Sequence, residues 1–345
     1  MTLAALPLPT PRSQPLRGGP TLRWGVVAPG AIAADFVHAL HTHTDQRVTA
    51  VASRSPERAA EFAARHGVPT SYGEYDHLYA DPDVQIVYVA SPHSEHLRLA
   101  LGAIDAGKHV LIEKPIGLSA DEARSIRDRA RAAGVFAMEA MWTRFVPRTD
   151  VMLQLHEDGV LGEVGLVLAD LGFAADADAG GRLFDPALGG GALLDLGVYP
   201  VWLSHLWLGA PASVSAHGTL TASGVDEQSA LVLQHASGAQ AVLSTSIRVT
   251  SSGHATIAGT RGRIELDANF VFPGGFTVTD SSGRSGRFED TSGLTHRDGM
   301  AWQATAVAQH VDDGLTESPL HPLQVTIDVL DVIDEARRLL SAASV

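Results

Sequence analysis

A chain of 345 residues is longer than one small hydrophobic core serves, so two domains are expected. It has no cysteine, which excludes disulfides, thiolate metal sites and a cysteine nucleophile and suits a reducing cytoplasm. The formal net charge of −14 argues against a nucleic acid or an anionic membrane surface as partner. No apolar run approaches the roughly 20 residues of a membrane span. The N-terminus lacks a basic start, and Pro7 breaks its short apolar run, so no secretory signal is expected.

Residues 1–20 contain five prolines and little that can pack, and read as a flexible or loosely docked arm. From residue 21 to 141 short apolar runs alternate with amphipathic segments. The runs Leu22–Ala28, Arg47–Ser53, Gln85–Ala90, His109–Glu113 and Val135–Ala140 predict strands. Helices are predicted near Ile32–His41, Pro56–Arg65, Glu74–Ala80, Glu95–Ala106 and Ala120–Ala133. Strands apolar on both faces, each followed by a helix, imply βαβ units and a doubly wound parallel sheet.

From 142 to 345 the rhythm changes. A helix is predicted at Thr149–Glu157, a strand at Gly165–Phe173, then a Gly-rich loop and a helix at Ala192–Leu208. Alternating runs follow at Ser213–Thr221, Ser229–His235, Ala239–Val249, His254–Ala258, Gly262–Asp267 and Phe276–Thr279, separated by turn signals such as "HASGAQ" and "AGTRGR". They predict an antiparallel sheet, in which Ser229–His235 and Ala239–Val249 would leave an apolar face uncovered in a monomer, a pattern that marks an interface. Helices near Ala301–Asp313 and Leu323–Ser341 close the chain.

The first strand runs into a helix through Ala28-Pro29-Gly30-Ala31-Ile32-Ala33. The dinucleotide fingerprint reads G-x-G-x-x-G/A, so its turn-making first glycine is replaced here by Ala28. Gly30 keeps the position where backbone approaches pyrophosphate, and Ala33 is an accepted third residue. The amides of Ala31 and Ile32 at the helix start would face an anion. Taken alone, the segment fits either a cofactor site or a plain strand-to-helix turn.

An NAD site calls for an acid at the end of the second strand, about 20 residues on. This chain has Ser53-Arg54 there, with Arg58 one helical turn further. A hydroxyl and planar guanidinium groups suit a 2′-phosphate, which favours NADP(H) over NAD(H). The alternative is a solvated arginine at a strand end. His38, His41 and His43 lie at a helix end without carboxylates and read as cations at a helix C-terminus, so no metal site is expected.

Five segments carry a family resemblance: "RWGVVAPGAIA", "SPHSEH", "VLIEKPIG", "MEAMWTRF" and "GGGALLDLGVY". In this order the chain resembles the glucose–fructose oxidoreductase/inositol dehydrogenase (Gfo/Idh/MocA) family from about residue 22 to its end. The last two segments are most similar to the dimeric dihydrodiol/D-xylose dehydrogenase branch. The resemblance implies a Rossmann domain, an open-faced antiparallel sheet domain, and hydride transfer between a nicotinamide and a sugar or cyclic alcohol. It also implies a homodimer or homotetramer assembled through the C-terminal sheet, and it raises the odds that Lys114-Pro115 is cis.

Lys114 ends a parallel strand, where open α/β sheets bind ligands. Asp195 and Tyr199 are spaced i, i+4, on one face of a helix. Alcohol oxidation needs a proton acceptor, and a free tyrosine ionises near 10, too high for neutral pH unless a cation lowers it. Tyr199 is therefore read as acid/base, Lys114 as its cation and Asp195 as the group orienting the substrate hydroxyl or Lys114; Lys114 as proton carrier is the alternative. The resemblance places His96 near the nicotinamide, and Ser91, Pro92, His93, Glu113 and Lys114 are read toward the cofactor with it. Arg144 is read as reaching cofactor or substrate oxygens, and Trp142 as offering a flat face to a sugar ring, although Trp142 is equally a core aromatic. Two other readings stay open: an NAD-retaining redox glycosidase and a non-catalytic NAD(P)/sugar sensor. Which alcohol is used is not written in these motifs.

Overall fold

The computed structural model describes residues 5–176 and 181–343. The first four residues of the expected arm and residues 177–180 of the expected Gly-rich loop lie outside them. Two compact units result. One comprises Ser13–Val146 with Leu294–Ile327, the other Met1–Arg12, Pro147–Gly293 and Asp328–Val345.

The first unit is built on a parallel sheet. Its strands are β1 (Arg23–Val27), β2 (Arg47–Ala52), β3 (Thr70–Tyr72), β4 (Ile86–Val89), β5 (His109–Ile112) and β6 (Ala137–Glu139). They lie in the order β3-β2-β1-β4-β5-β6, the doubly wound order. Helices α1 (Ala31–His43), α2 (Pro56–His66), α3 (Tyr75–Ala80), α4 (His96–Asp105) and α5 (Ala120–Ala133) form the crossovers. Every residue of β4 is buried, as a strand covered on both faces must be. Phe36 of α1 stacks on Tyr88 of β4 at 3.8 Å. The sequence reading missed only β3, an edge strand of three residues with no measurable period. Helix α8 (Met300–Asp312), far along the chain, packs on α1.

The second unit holds α6 (Pro147–Glu157), α7 (Val198–Leu208) and the strands β7 (Val164–Gly172), β8 (Ser213–Leu220), β9 (Asp226–Gln234), β10 (Gln240–Ser246), β11 (Ala255–Gly259), β12 (Gly262–Leu266), β13 (Phe276–Asp280) and β14 (Ser285–Phe288). The order is β14-β13-β12-β11-β7-β10-β9-β8. This sheet is mixed, because β10 runs parallel to β7 while the other pairs are antiparallel. Strict alternation along β9 and β10 sends Leu231, Leu233, Ala241 and Leu243 into the core. On the opposite face Val232, Val242 and Leu168 lie side by side across three strands and stay exposed. The long closing helix α9 (Leu323–Ala343) contains the division between the two units.

Residues 5–19 form no regular element, yet they are held. The Leu6 amide donates to Ser285 O at the β14 edge, and Arg12 pairs with Asp150 and Glu157 of α6. Within the other unit Arg17 pairs with Asp45. No helix among the described residues is long and apolar enough to cross a membrane.

Candidate active site

In the first unit the strand order reverses between β1 and β4, and open α/β sheets take ligands at the carboxyl ends of such strands. Ala28 follows β1 and adopts a left-handed φ of 61°. An alanine thus makes the bend usually made by glycine, at a cost of about 1–2 kcal/mol. Gly30 caps α1 with extended backbone and no side-chain hydrogen bond. A Cβ placed on Gly30 would meet no protein atom within 4 Å, so the fold leaves the space open. Ahead of it lie the first amides of α1, those of Ala31 and Ile32, with no acidic side chain in the first turn.

Across the reversal, Ser91 follows β4. Its Oγ is buried and has no partner among the described residues. Pro92 and the buried His93 continue the segment into α4. At the end of β2, Ser53 is nearly buried and its Oγ accepts the Ser55 amide at 3.2 Å. Ser55 in turn caps α2 by accepting the Arg58 amide. The side chains of Arg54 and Arg58 are exposed and make no ion pair or hydrogen bond among the described residues. An orphaned hydroxyl, an open glycine, an uncapped helix start and two unpaired cations together fit an anionic dinucleotide.

The Lys114-Pro115 peptide is cis. Three buried titratable side chains surround this turn. Glu113 accepts the Lys114 amide at 3.2 Å through Oε2 and the Tyr88 hydroxyl through Oε1. Burial pushes the Glu113 carboxyl above its usual range, against the opposing pull of Tyr88 and Lys114. His96 is fully buried, with Nδ1 2.7 Å from Pro115 O and Nε2 2.8 Å from Ser91 O. Its burial lowers the imidazole pKa, opposed by those two carbonyls. A neutral ring carries one N–H, so His96 donates to one of these two carbonyls, one on the Lys114 turn and the other just past the end of β4. Glu139 Oε1 accepts the Ile116 amide at 3.0 Å. Trp142 is buried in the short turn Trp142–Arg144, and Arg144 Nε donates to Leu320 O. Of the three histidines near the end of α1, His41 Nε2 accepts the Val48 amide and His43 faces Asp298.

In the second unit the segment before α7 is a π-turn, Leu193–Gly197, which carries Asp195. Such turns are frequent at functional sites. Tyr199 follows in the first turn of α7 and is 6% exposed, as is Asp195. Arg182 Nη2 donates to Asp195 Oδ1 at 2.8 Å, a partner that sequence spacing did not suggest. The π-turn is capped by Asp226 at the start of β9, whose Oδ2 accepts the Leu193 amide at 2.7 Å. A Cβ on Gly191 would lie 2.2 Å from Asp226 Oδ1, and its φ is +111°, so only glycine serves there. Burial raises the Asp226 carboxyl from 3.8 to about 6, opposed first by the Leu193 amide and then by Arg337. Asp226 also went unnoticed in sequence, although a strand opening on an acid just after a turn is a readable hint.

Residues 22–141 match the model of an oxidoreductase family with an NAD-binding Rossmann fold, GFO_IDH_MocA. Residues 151–265 match the GFO/IDH/MocA C-terminal domain. A trans-1,2-dihydrobenzene-1,2-diol dehydrogenase from Bos taurus is 34% identical over 330 residues, covering 92% of this chain and 96% of its own. The Xenopus tropicalis protein of the same name is 35% identical over 323 residues, covering 91% and 96%. Among solved structures, a 3-ketoreductase from Actinomadura kijaniata with NADP and TDP-benzene is 27% identical with a TM-score of 0.78, covering 93% of this chain and 98% of that one.

Proposed function

Because the chain belongs to the Gfo/Idh/MocA oxidoreductase family, we propose that it is an NADP-dependent dehydrogenase of a secondary or anomeric hydroxyl on a sugar or related cyclic alcohol, of the trans-dihydrodiol or D-xylose kind. The observation that carries this reading is the likeness to dihydrodiol dehydrogenases over nearly the whole of both chains. A bound dinucleotide would supply the hydride acceptor for the carbinol carbon. Tyr199 takes the hydroxyl proton, and Lys114 supplies the cation that brings its phenol into a useful range. Asp195, paired with Arg182, accepts a hydrogen bond from a substrate hydroxyl. Glycine at position 30 leaves room for pyrophosphate, and Ser53, Arg54 and Arg58 recognise the 2′-phosphate. The exposed row Leu168, Val242 and Val232 supports a homodimer or homotetramer through this sheet.

The test is a panel of trans-dihydrodiols, D-xylose, D-glucose and 1,5-anhydro sugars, each with NADP+ and NAD+, followed by the absorbance of reduced nicotinamide. Turnover of at least one with NADP+ preferred is expected. Failure of the whole panel with both cofactors refutes the reading.

A further inference from the structure

Glu139 ends β6 with only 2% of its side chain exposed. Its Oε1 accepts the Ile116 amide at 3.0 Å. Its Oε2 receives the Thr326 hydroxyl at 3.0 Å and faces His321 Nε2 at 3.2 Å. Thr326 Oγ1 and His321 Nε2 are 3.1 Å apart, so both converge on one oxygen. His321 Nδ1 is buried without a partner among the described residues, so the ring's polar work is all directed at this oxygen and Thr326.

We propose that Glu139, held by His321 and Thr326, is the positioning residue for Lys114. The proposal rests on the role given to Lys114 above.

A buried carboxylate is a poor way to stabilise a strand end, because an apolar side chain of similar volume avoids the desolvation. The preceding β6 residues, Ala137 and Met138, are apolar and fully buried, so packing alone does not call for an acid at 139. What the carboxylate supplies is an acceptor for a buried amide beyond the end of the β5 ladder, which stops at Ile112. Each residue of the turn then meets a buried side chain: Lys114 N–H donates to Glu113, Ile116 N–H donates to Glu139, and Pro115 C=O lies 2.7 Å from His96 Nδ1. Remove Glu139 and the Ile116 donor is orphaned in a dry site. It finds a new acceptor only if the turn moves, and Lys114 moves with it. His321 and Thr326 come from the segment leading into and opening α9, so the end of the chain steadies a turn more than 200 residues away.

The experiment compares wild type with Glu139→Ala and the milder Thr326→Val, which keeps volume but removes one donor to Oε2. Steady-state kinetics across pH and amide hydrogen exchange at Ile116 are measured on the same proteins. Glu139→Ala is expected to lower kcat by about ten- to a hundredfold, the range for a misplaced catalytic group. KM for the dinucleotide should change little, because the amides at Gly30 and the Arg54 site are untouched. The rise of kcat with pH should move upward by about one unit as the acid/base loses its cation. Ile116 should exchange faster in both variants, with Thr326→Val the smaller effect; it also serves if the alanine variant does not fold. A fall in thermal stability with an unmoved pH profile and unchanged Ile116 exchange overturns the proposal, leaving the cluster as core. Lys114→Met run alongside separates the two ideas. If it leaves the profile in place, the role of Lys114 falls, and Ile116 exchange alone then decides for or against positioning.

Discussion

Arg54→Ala is the sharpest probe of cofactor choice. Among 25 lysines and arginines, the side chains of Arg54, Arg58 and Arg261 alone make no ion pair or hydrogen bond within the described residues. Two of these three stand together after β2. A cation solvated on all sides does nothing for the fold, so its loss should change stability by less than about 0.5 kcal/mol. Against a 2′-phosphate the same guanidinium makes a charge-assisted contact worth roughly 1.5–3 kcal/mol, or about ten- to a hundredfold in affinity. NAD+ has only a hydroxyl at that position and should lose almost nothing. The assay is KM for NADP+ and for NAD+ with one good alcohol, together with the melting temperature. The ratio of the two KM values should shift tenfold or more with an unchanged melting temperature, and Arg58→Ala should act in the same direction. Because both arginines are exposed, raising the salt should narrow the wild-type preference as well. Equal KM changes for both cofactors, or no change for either, would refute the assignment of Ser53 and Arg54 to the phosphate.

Four further outcomes are expected. Gly30→Ala should leave the melting temperature unchanged, since the new Cβ meets no protein atom, while KM for the dinucleotide rises; a destabilised protein with normal KM would contradict the open cradle. Tyr199→Phe should lower kcat by on the order of 10²–10⁴ with cofactor binding intact, and Lys114→Met should lower it without adding to the first loss. If Tyr199→Phe stays active while Lys114→Met is dead, the proton belongs to Lys114. For Asp226 the folded carboxyl titrates near 6 and the unfolded one near 3.8. The folded state then binds more protons between those values, and stability falls as pH rises through that window, by roughly 3 kcal/mol if the full gap is realised. Asp226→Asn can still accept the Leu193 amide without carrying charge, so its unfolding free energy should be flat there, matching wild type near pH 4 and exceeding it at pH 7. Finally, light scattering at micromolar concentration should report at least a dimer, and a monomer would remove the interface reading of the Leu168–Val242–Val232 row.

The fold was legible where burial writes a period into the chain. The strands of both sheets fall within a few residues of the expected runs, because alternation along β9 and β10 and the wholly apolar β4 leave direct traces. Three-residue β3 leaves none, and neither does β14, where "SGRF" buries only Gly286 and Phe288. The parallel pairing of β10 with β7 was illegible for another reason. It is a choice of neighbour between segments some 70 residues apart, and no local pattern records which strand lies next to which. In sequence the π-turn at Leu193–Gly197 looks like ordinary helix, since one extra residue per turn hardly alters an apolar stretch of that length.

The site divides along the same line. Ser53 and Lys114 could be picked out because each follows a strand end, and Gly30 because it opens the helix after one, places that sequence order alone defines. Arg182, Asp226, His321 and Thr326 could not, because each matters only through a partner brought close by the fold. Glu113 and Glu139 fall between these cases. Both were visible as acids ending parallel strands, where a solvated position would be the usual expectation. Instead both are buried, and each spends an oxygen on a backbone amide of the turn that carries Lys114. Two carboxyl groups are thus taken out of water to hold three residues of backbone still. That cost is justified where the exact placement of one side chain governs a rate, and a surface lysine of no consequence would not need it.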